Sequence, residues 1–182
     1  MRIISGSEKG RKLKAPKDDS TRPTEDRIKE NVFNLLQGPF YDTRVLDLFS
    51  GTGGIGLEFL SRGAQEVWFN DISIQSKKLI IENVTNSNFS NQARIFSQDY
   101  KVVLEKAKKE MVKFDYIYLD PPYNTLDYYL DSMKQIFEFD LLSEDGRLIV
   151  EGPFEYEMDP GKLFQLQKYK KYRTTGIWIY IM

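Results

Sequence analysis

The spacing of apolar positions changes near Thr43. Beyond it, short apolar runs alternate with stretches whose apolar residues recur at helical spacing, the pattern of a doubly wound parallel α/β sheet. Val45 to Phe49 is the expected first strand, followed by a crossover helix over 54–62. Glu66 to Asn70 reads as the second strand, 73–87 as a helix and Arg94 to Phe96 as the third strand. Residues 100–112 follow as a helix with Lys and Glu outward, then a strand over 115–119, a helix over 126–138 and a fifth strand from Arg147 to Glu151. The tail differs, because Leu163 to Tyr169 and Gly176 to Ile181 are strand-like and only Lys170 to Thr175 separates them. With no helix between, the two strands must be antiparallel.

Ahead of the alternating region, Arg2-Ile3-Ile4 and Arg11-Lys12-Leu13 flank glycine-bearing turns and predict a basic β-hairpin. A polar stretch from Pro16 to Pro23 leads to Thr24-Glu25-Asp26, an N-cap and acidic first turn for a helix carrying Ile28, Val32, Leu35 and Leu36. Gly38-Pro39 ends that helix. Residues 1–42 thus form a basic extension, hairpin plus helix, on an α/β body over 43–182. No internal repeat or low-complexity segment interrupts the chain.

Two motifs carry chemistry. Asp47-Leu48-Phe49-Ser50-Gly51-Thr52-Gly53-Gly54-Ile55-Gly56 puts a Gly-x-Gly-x-x-Gly turn between a strand and a helix, where glycines allow a ligand to approach the backbone at a helix N-terminus. Dinucleotide enzymes use the same turn. Asp47, four positions before the first glycine, tips the balance toward a cofactor with a cation near the loop, since a carboxylate would repel a pyrophosphate. Asp71 closes the second strand, where it could accept both hydroxyls of a ribose or cap the following helix. Asp99 could accept a bond from an adenine amine or cap the helix at Tyr100. The cofactor set is therefore Asp47, Phe49, Gly51, Gly53, Gly56, Asp71 and Asp99.

The second motif, Asp120-Pro121-Pro122-Tyr123, ends the apolar run Tyr116-Ile117-Tyr118-Leu119. An exocyclic amine of a nucleobase is conjugated into its ring and becomes nucleophilic only when its hydrogens are held and its lone pair is turned outward. A carboxylate and a stiff-turn carbonyl can hold them, because consecutive prolines fix φ and carry no N–H. Tyr123 offers a stacking face. A plain strand-ending turn is the bland alternative. In a doubly wound sheet, however, the first and fourth strands end side by side at the ligand crevice, so the two motifs converge there.

Composition narrows the choice. The chain has 182 residues, 41% hydrophobic and 29% charged, enough for one ordinary domain with a real core. Cysteine and histidine are both absent, which removes disulfides, thiol nucleophiles, His-based triads and His-dependent metal sites, and no metal is expected. Transfer of a methyl from an already activated sulfonium suits a protein limited to carboxylates, hydroxyls, amides, Lys and Arg. No apolar run approaches the roughly 18 residues of a membrane span and no signal-peptide h-region opens the chain, so a cytoplasmic protein is expected. Net charge is −1, yet residues 1–17 carry about +5 and leave about −6 elsewhere. Arg2, Lys9, Arg11, Lys12 and Arg22 are the expected RNA contacts. Lys168, Lys170, Lys171 and Arg173, interleaved with Tyr169 and Tyr172, are either a second phosphate patch or a plain hairpin turn.

These residues resemble the RsmD-type methyltransferases, which methylate the N2 amine of a guanine in bacterial small-subunit ribosomal RNA. The resemblance runs almost end to end: Met1-Arg2-Ile3-Ile4 with Gly6, Lys9 to Leu13, Thr21 to Arg27, Val45 to Gly56, Leu60 to Ala64, Phe114 to Tyr123, Ile149 to Glu151 and Tyr172 to Thr175. It implies a Rossmann-like, seven-stranded class I methyltransferase fold with an N-terminal RNA-binding extension. S-adenosylmethionine is the implied donor and Asp120 to Tyr123 the implied amine site. Ribosomal RNA, within a small-subunit assembly intermediate, is the implied partner, and a monomer is favoured. Asp71 stands where the family usually has Glu, Ser73 replaces an acid two positions later, and Ser50 and Gly54 vary the glycine loop. An adenine-N6 methyltransferase on RNA or DNA, or a non-catalytic RNA-binding assembly factor, are the competing readings.

Overall fold

The computed structural model describes residues 1–16, 23–122, 126–156 and 158–182. Arg22 and Tyr123, singled out above, lie outside the described residues. The chain runs α1 (Pro23–Leu36), β1 (Arg44–Asp47), α2 (Gly54–Ser61), β2 (Glu66–Asn70), α3 (Ile74–Asn86), β3 (Ala93–Phe96), α4 (Tyr100–Lys109), β4 (Phe114–Leu119), α5 (Leu126–Glu138), β5 (Leu142–Pro153), β6 (Gln165–Tyr172) and β7 (Thr175–Ile181). The strands form one seven-stranded sheet in the order β3-β2-β1-β4-β5-β7-β6. β1 to β5 are parallel, whereas β7 is antiparallel to both β5 and β6. This is the α/β architecture expected, with its C-terminal antiparallel hairpin.

Period-two alternation along the strands divides the core into two layers. Val45, Val67, Phe69, Tyr118, Ile149 and Ile177 face α1, α2 and α3 through Val32, Phe33, Leu57, Leu60 and Ile80. Leu46, Leu48, Trp68, Ile117, Leu119 and Val150 face α4 and α5 through Val103, Leu104, Met133 and Ile136. Strands buried on both faces read as unbroken apolar runs, which is why they are visible in the sequence.

Several boundaries differ for identifiable reasons. Helix α1 begins at Pro23 rather than after a Thr24 cap, since a proline in the first turn gives up no ladder bond. β5 starts at Leu142, and a bulge between its pairings at Leu142 and Arg147 hides the polar stretch Ser143 to Gly146 from a period-two reading. The C-terminal strands are joined by Arg173 and Thr174 alone, because Lys170, Lys171 and Tyr172 continue β6.

The N-terminal segment folds back as a short antiparallel pair bridged at Arg2 and Lys12, with the Ile3 N–H on the Arg11 carbonyl and the Gly10 N–H on the Ile3 carbonyl, both at 2.9 Å, and the Leu13 N–H on the Met1 carbonyl at 3.1 Å. Other amides of the segment reach α2. Ile4 and Ser5 donate N–H bonds of 2.8 and 3.0 Å to the Glu58 carboxylate, and Ser7 donates one of 2.7 Å to the Ser61 carbonyl. Ile3 and Leu13 are buried in the same layer as α1 and α2. Among the described residues, no helix is long and apolar enough to cross a membrane.

Candidate cofactor and target-amine site

Parallel pairing sets β1 between β2 and β4, so the loops after these strands share one edge of the sheet. Behind β1 the chain turns sharply. Gly53 sits at φ 80 as the N-cap of α2, a left-handed conformation that glycine adopts without cost. Gly56 lies against Phe69 so closely that a Cβ there would stand 2.2 Å from the ring. Ser50 ties the loop to β2: its hydroxyl donates to the Asp47 carbonyl at 2.6 Å and accepts the Asn70 N–H at 3.1 Å. The Asn70 side chain donates to the Leu48 and Gln98 carbonyls and accepts the Gln98 N–H, joining the ends of β1, β2 and β3.

Asp47 is 1% exposed, and its carboxyl accepts the Gly56 N–H at 3.0 Å. Burial pushes its pKa up to about 7, with the neighbouring Asp71 charge adding to the rise and the Gly56 bond opposing it. It sits beneath the loop and is not among the residues that line the cavity above. Gly53 and Gly56 likewise shape the loop from below, whereas Gly51 reaches the surface, where an added Cβ would meet open space.

That cavity, of about 310 Å³, is lined by Phe49, Gly51, Asn70, Asp71, Ile72, Gln98, Asp99, Tyr100, Asp120, Pro121, Pro122 and Tyr128. It brings both motifs together. Asp71 accepts N–H bonds from Gly51 at 2.9 Å and from Ser73 at 2.8 Å, one on each oxygen. The cap of α3 belongs to Ser73, whose hydroxyl accepts the Ser76 N–H, so Asp71 braces the glycine loop instead. Asp99 does cap α4, accepting the Lys101 N–H at 2.9 Å, while also lining the cavity. Each carboxylate oxygen has a second lone pair, so neither set of bonds exhausts the site's acceptors.

Sequence reading named Phe49 and missed the rest of the aromatic wall. Phe49 and Tyr128 stack with planes 9° apart and centroids 6.5 Å apart, and Tyr100 tilts against both at 5.6 and 5.3 Å. The Tyr100 hydroxyl donates to Asp131 at 2.6 Å, which fixes the ring. Ile72 is 73% exposed beside Asp71, an apolar side chain at the mouth of a polar rim. Its signal was legible as a hydrophobic residue directly after a strand-ending acid; Tyr128 merely resembled one more helix residue.

Asp120 and Pro121 follow the end of β4 beside β5. The Tyr129 hydroxyl lies between the Pro121 carbonyl, at 3.4 Å, and the Glu151 carbonyl, at 3.1 Å, which anchors the proline turn to β5. Deeper, the Tyr118 hydroxyl donates to the Glu151 carboxylate, and burial followed by that charge holds the phenol protonated, well above its ordinary pKa.

The basic N-terminal residues are spread along α2. Met1 Sδ is 3.4 Å from the Thr52 hydroxyl, by the glycine loop, while Ser7 meets Ser61 at the far end of the helix. Arg2 and Lys12, bridged to each other, are exposed. Lys9 is exposed in the turn, and Arg11 is engaged by Glu8 at 2.9 and 2.7 Å.

A seven-stranded sheet of this order, with a glycine turn after its first strand and a proline turn after its fourth at one cavity, defines a Rossmann-like methyltransferase. The chain belongs to the family described as Conserved hypothetical protein 95, whose model matches residues 1–181, and so to the RsmD-type group its motifs resemble. It is 39% identical over 184 residues to "Putative rRNA methyltransferase YlbH" of Bacillus subtilis, covering 99% of this chain and 98% of that one. It is 35% identical over 125 residues to "Ribosomal RNA small subunit methyltransferase D" of Haemophilus influenzae, which spans 68% of this chain and 64% of that relative. The solved structure "Putative methyltransferase yhhF from Escherichia coli" superimposes with a TM-score of 0.84 at 26% identity, covering all of this chain and 97% of that one.

Proposed function

We propose that this protein is an S-adenosylmethionine-dependent methyltransferase that modifies the exocyclic N2 amine of a guanine in small-subunit ribosomal RNA, with residues 1–42 serving as an RNA-binding extension. One observation carries the reading: the acids and glycine loop suited to an adenosine-type cofactor and the Asp120 to Pro122 turn suited to an amine line the same cavity. The size and walls fit such a cofactor. A volume of about 310 Å³ lies within the usual range of ligand sites. Gly51 leaves open space, Asp71 and Asp99 offer acceptors for ribose hydroxyls and an adenine amine, and Ile72 gives a flat base an apolar wall. Phe49 adds an aromatic wall to the same cavity. The likeness to named ribosomal RNA methyltransferases supports the RNA substrate.

S-adenosylmethionine, held by the glycine loop, Asp71 and Asp99, would supply an electrophilic methyl: its S–CH3 bond would break as the N–CH3 bond forms, the thioether S-adenosylhomocysteine would leave, and the amine would release one proton to water. The chain's own task is to hold that amine. Asp120 and the Pro121 carbonyl accept its two hydrogens and turn its lone pair toward the cofactor side, and Tyr123 stacks on the flipped base. Asp120 orients and polarises more than it abstracts a proton, because the amine becomes acidic only as the new C–N bond forms. Arg2, Lys9, Arg11, Lys12 and Arg22 engage phosphates and set the register of the RNA. Asp47 holds Gly56 and thereby the loop on which the cofactor rests.

The discriminating experiment is Asp120→Ala, measured separately for cofactor binding by calorimetry and for methyl transfer to small-subunit ribosomal RNA. S-adenosylmethionine affinity should remain near that of the wild type while transfer falls by about 10²-fold or more, as for loss of one positioned polar group. Full activity in the variant would remove Asp120 from the reaction.

A further inference from the structure

The β6–β7 turn brings a second set of cations to the edge of the sheet that holds Asp120. β4 pairs with β5 through Leu119 and Val150, and β5 pairs with β7 through Glu151 with Ile177 and Pro153 with Thr175. The turn residues Arg173 and Thr174 therefore stand just beyond the C-terminal end of β5. They are tied there: the Thr174 carbonyl accepts the Phe154 N–H at 3.2 Å, and Lys171 Nζ lies 3.3 Å from the centroid of the Phe154 ring. Three residues earlier on the same strand, the Glu151 carbonyl shares the Tyr129 hydroxyl with Pro121. Three residues of extended chain span about 10 Å and the shared hydroxyl adds at most 3.1 and 3.4 Å, so the Phe154 platform is held within about 17 Å of the proline turn. That is within reach of the phosphates flanking a base placed at Asp120.

The charge pattern within the hairpin is one-sided, although exposed Glu155 follows Phe154. Lys168, Lys170, Lys171 and Arg173 fall in this hairpin, and no Asp or Glu follows Asp159. Lys168 is committed to the Leu35 carbonyl at 2.8 Å. Lys170, Lys171 and Arg173 are exposed and, among the described residues, none of them is in an ion pair. Arg173 holds φ 53, a left-handed conformation that costs a long side chain energy and would cost glycine none. In strand order β1 and the glycine loop, where Met1 and Arg2 begin the N-terminal segment, lie on one side of β4, and β7 with this turn lies on the other.

We infer that Lys170, Lys171 and Arg173 form a second phosphate-binding surface for the RNA substrate, across the target-base cleft from the N-terminal segment; this rests on the ribosomal RNA reading above. The strand of RNA is then held on both sides of Asp120, which sets the depth at which the guanine is presented.

The test compares wild type with Arg173→Gly and with the triple variant K170Q/K171Q/R173G. Arg173→Gly removes a cation where glycine is the easier backbone residue, so loss of fold does not confuse the result. Binding is titrated against salt with a single-stranded RNA oligonucleotide, with small-subunit ribosomal RNA and with a partly assembled small-subunit ribonucleoprotein particle, and S-adenosylmethionine affinity is measured alongside. The triple variant should bind RNA at least about tenfold more weakly at low salt. Its log K against log salt slope should be shallower by about 2, at about 0.7 for each single-strand phosphate no longer neutralised, with cofactor affinity unmoved. An unchanged slope and affinity would overturn the assignment. Weakened binding confined to the ribonucleoprotein particle, with naked RNA unaffected, would also overturn it by placing the hairpin against protein. Wild type that binds RNA through this hairpin yet methylates none of it would contradict the proposed reaction and leave the hairpin assignment standing.

Discussion

Asp47 shows how one residue can be legible in the sequence for position and illegible for environment. Its place before the glycines is plain, but its burial and its bond to Gly56 come from packing of α2 onto β2, which brings Gly56 against Phe69. The folded carboxyl titrates near 7, against 3.8 ordinarily, so the folded chain holds this proton more tightly than the unfolded chain does. The group's favourable contribution is complete below about pH 4 and is lost as pH rises through about 7. Asp47→Asn keeps an acceptor for Gly56 and removes the ionisation. Urea denaturation of both proteins from pH 4 to 8 should show the wild type losing stability relative to the variant across that window, by on the order of 4 kcal/mol at most. Parallel curves would mean that Asp47 ionises freely. At the same scale, Asp71, Asp99 and Asp120 are placed at strand ends by their spacing, and the fold draws them to one cavity. Tyr100 and Tyr128 were not legible as its wall, because their rings meet Phe49 only when α4 and α5 pack side by side.

At the scale of elements, apolar periodicity located all five helices of the described chain and the seven strands, while ends were set by local hydrogen bonds. Helix α3 begins where Ser73 supplies a hydroxyl to Ser76, and α4 where Asp99 supplies a carboxylate to Lys101. Apolar patterning cuts the edge strand β6 short, since an edge strand with exposed faces tolerates Lys170 and Lys171 where a central strand would not. The connection between the N-terminal segment and the glycine loop was invisible. It runs through Asn83 of α3, 1% exposed, whose amide donates to the Lys14 and Thr52 carbonyls, both at 3.0 Å, and whose oxygen accepts the Lys14 N–H at 2.7 Å. Asn83→Leu preserves much of the volume and leaves three half-buried backbone groups without their partner. Chemical denaturation should register a loss of about 1–3 kcal/mol, and cofactor affinity should fall with it because Thr52 belongs to the loop. A variant with wild-type stability and affinity would show that Asn83 carries no such connection. Glu58, fully buried, does comparable work lower on α2, where Ile4, Ser5 and Arg62 all donate to it.

For the whole molecule, the doubly wound order places β1 and β4 side by side, and that adjacency brings the loops after them together into one site. Charge is distributed to match. A net charge of −1 would weaken approach to a polyanion, yet the N-terminal segment lies along α2 with its open end by the glycine loop, and the β6–β7 turn supplies cations beyond β5. Sequence alone showed the charge asymmetry along the chain; the fold was needed to show that Lys9 and Arg11 sit toward the far end of α2 from the glycine loop.

The most direct measurement supplies the protein with labelled S-adenosylmethionine and small-subunit ribosomal RNA, naked and partly assembled, from cells that lack this activity, and identifies the modified nucleoside by mass analysis. The account predicts N2-methylguanosine at a single site. N6-methyladenosine would contradict the choice of base while keeping the amine chemistry of Asp120 to Tyr123, and cofactor binding with no methyl transfer to either RNA would contradict the proposed reaction itself.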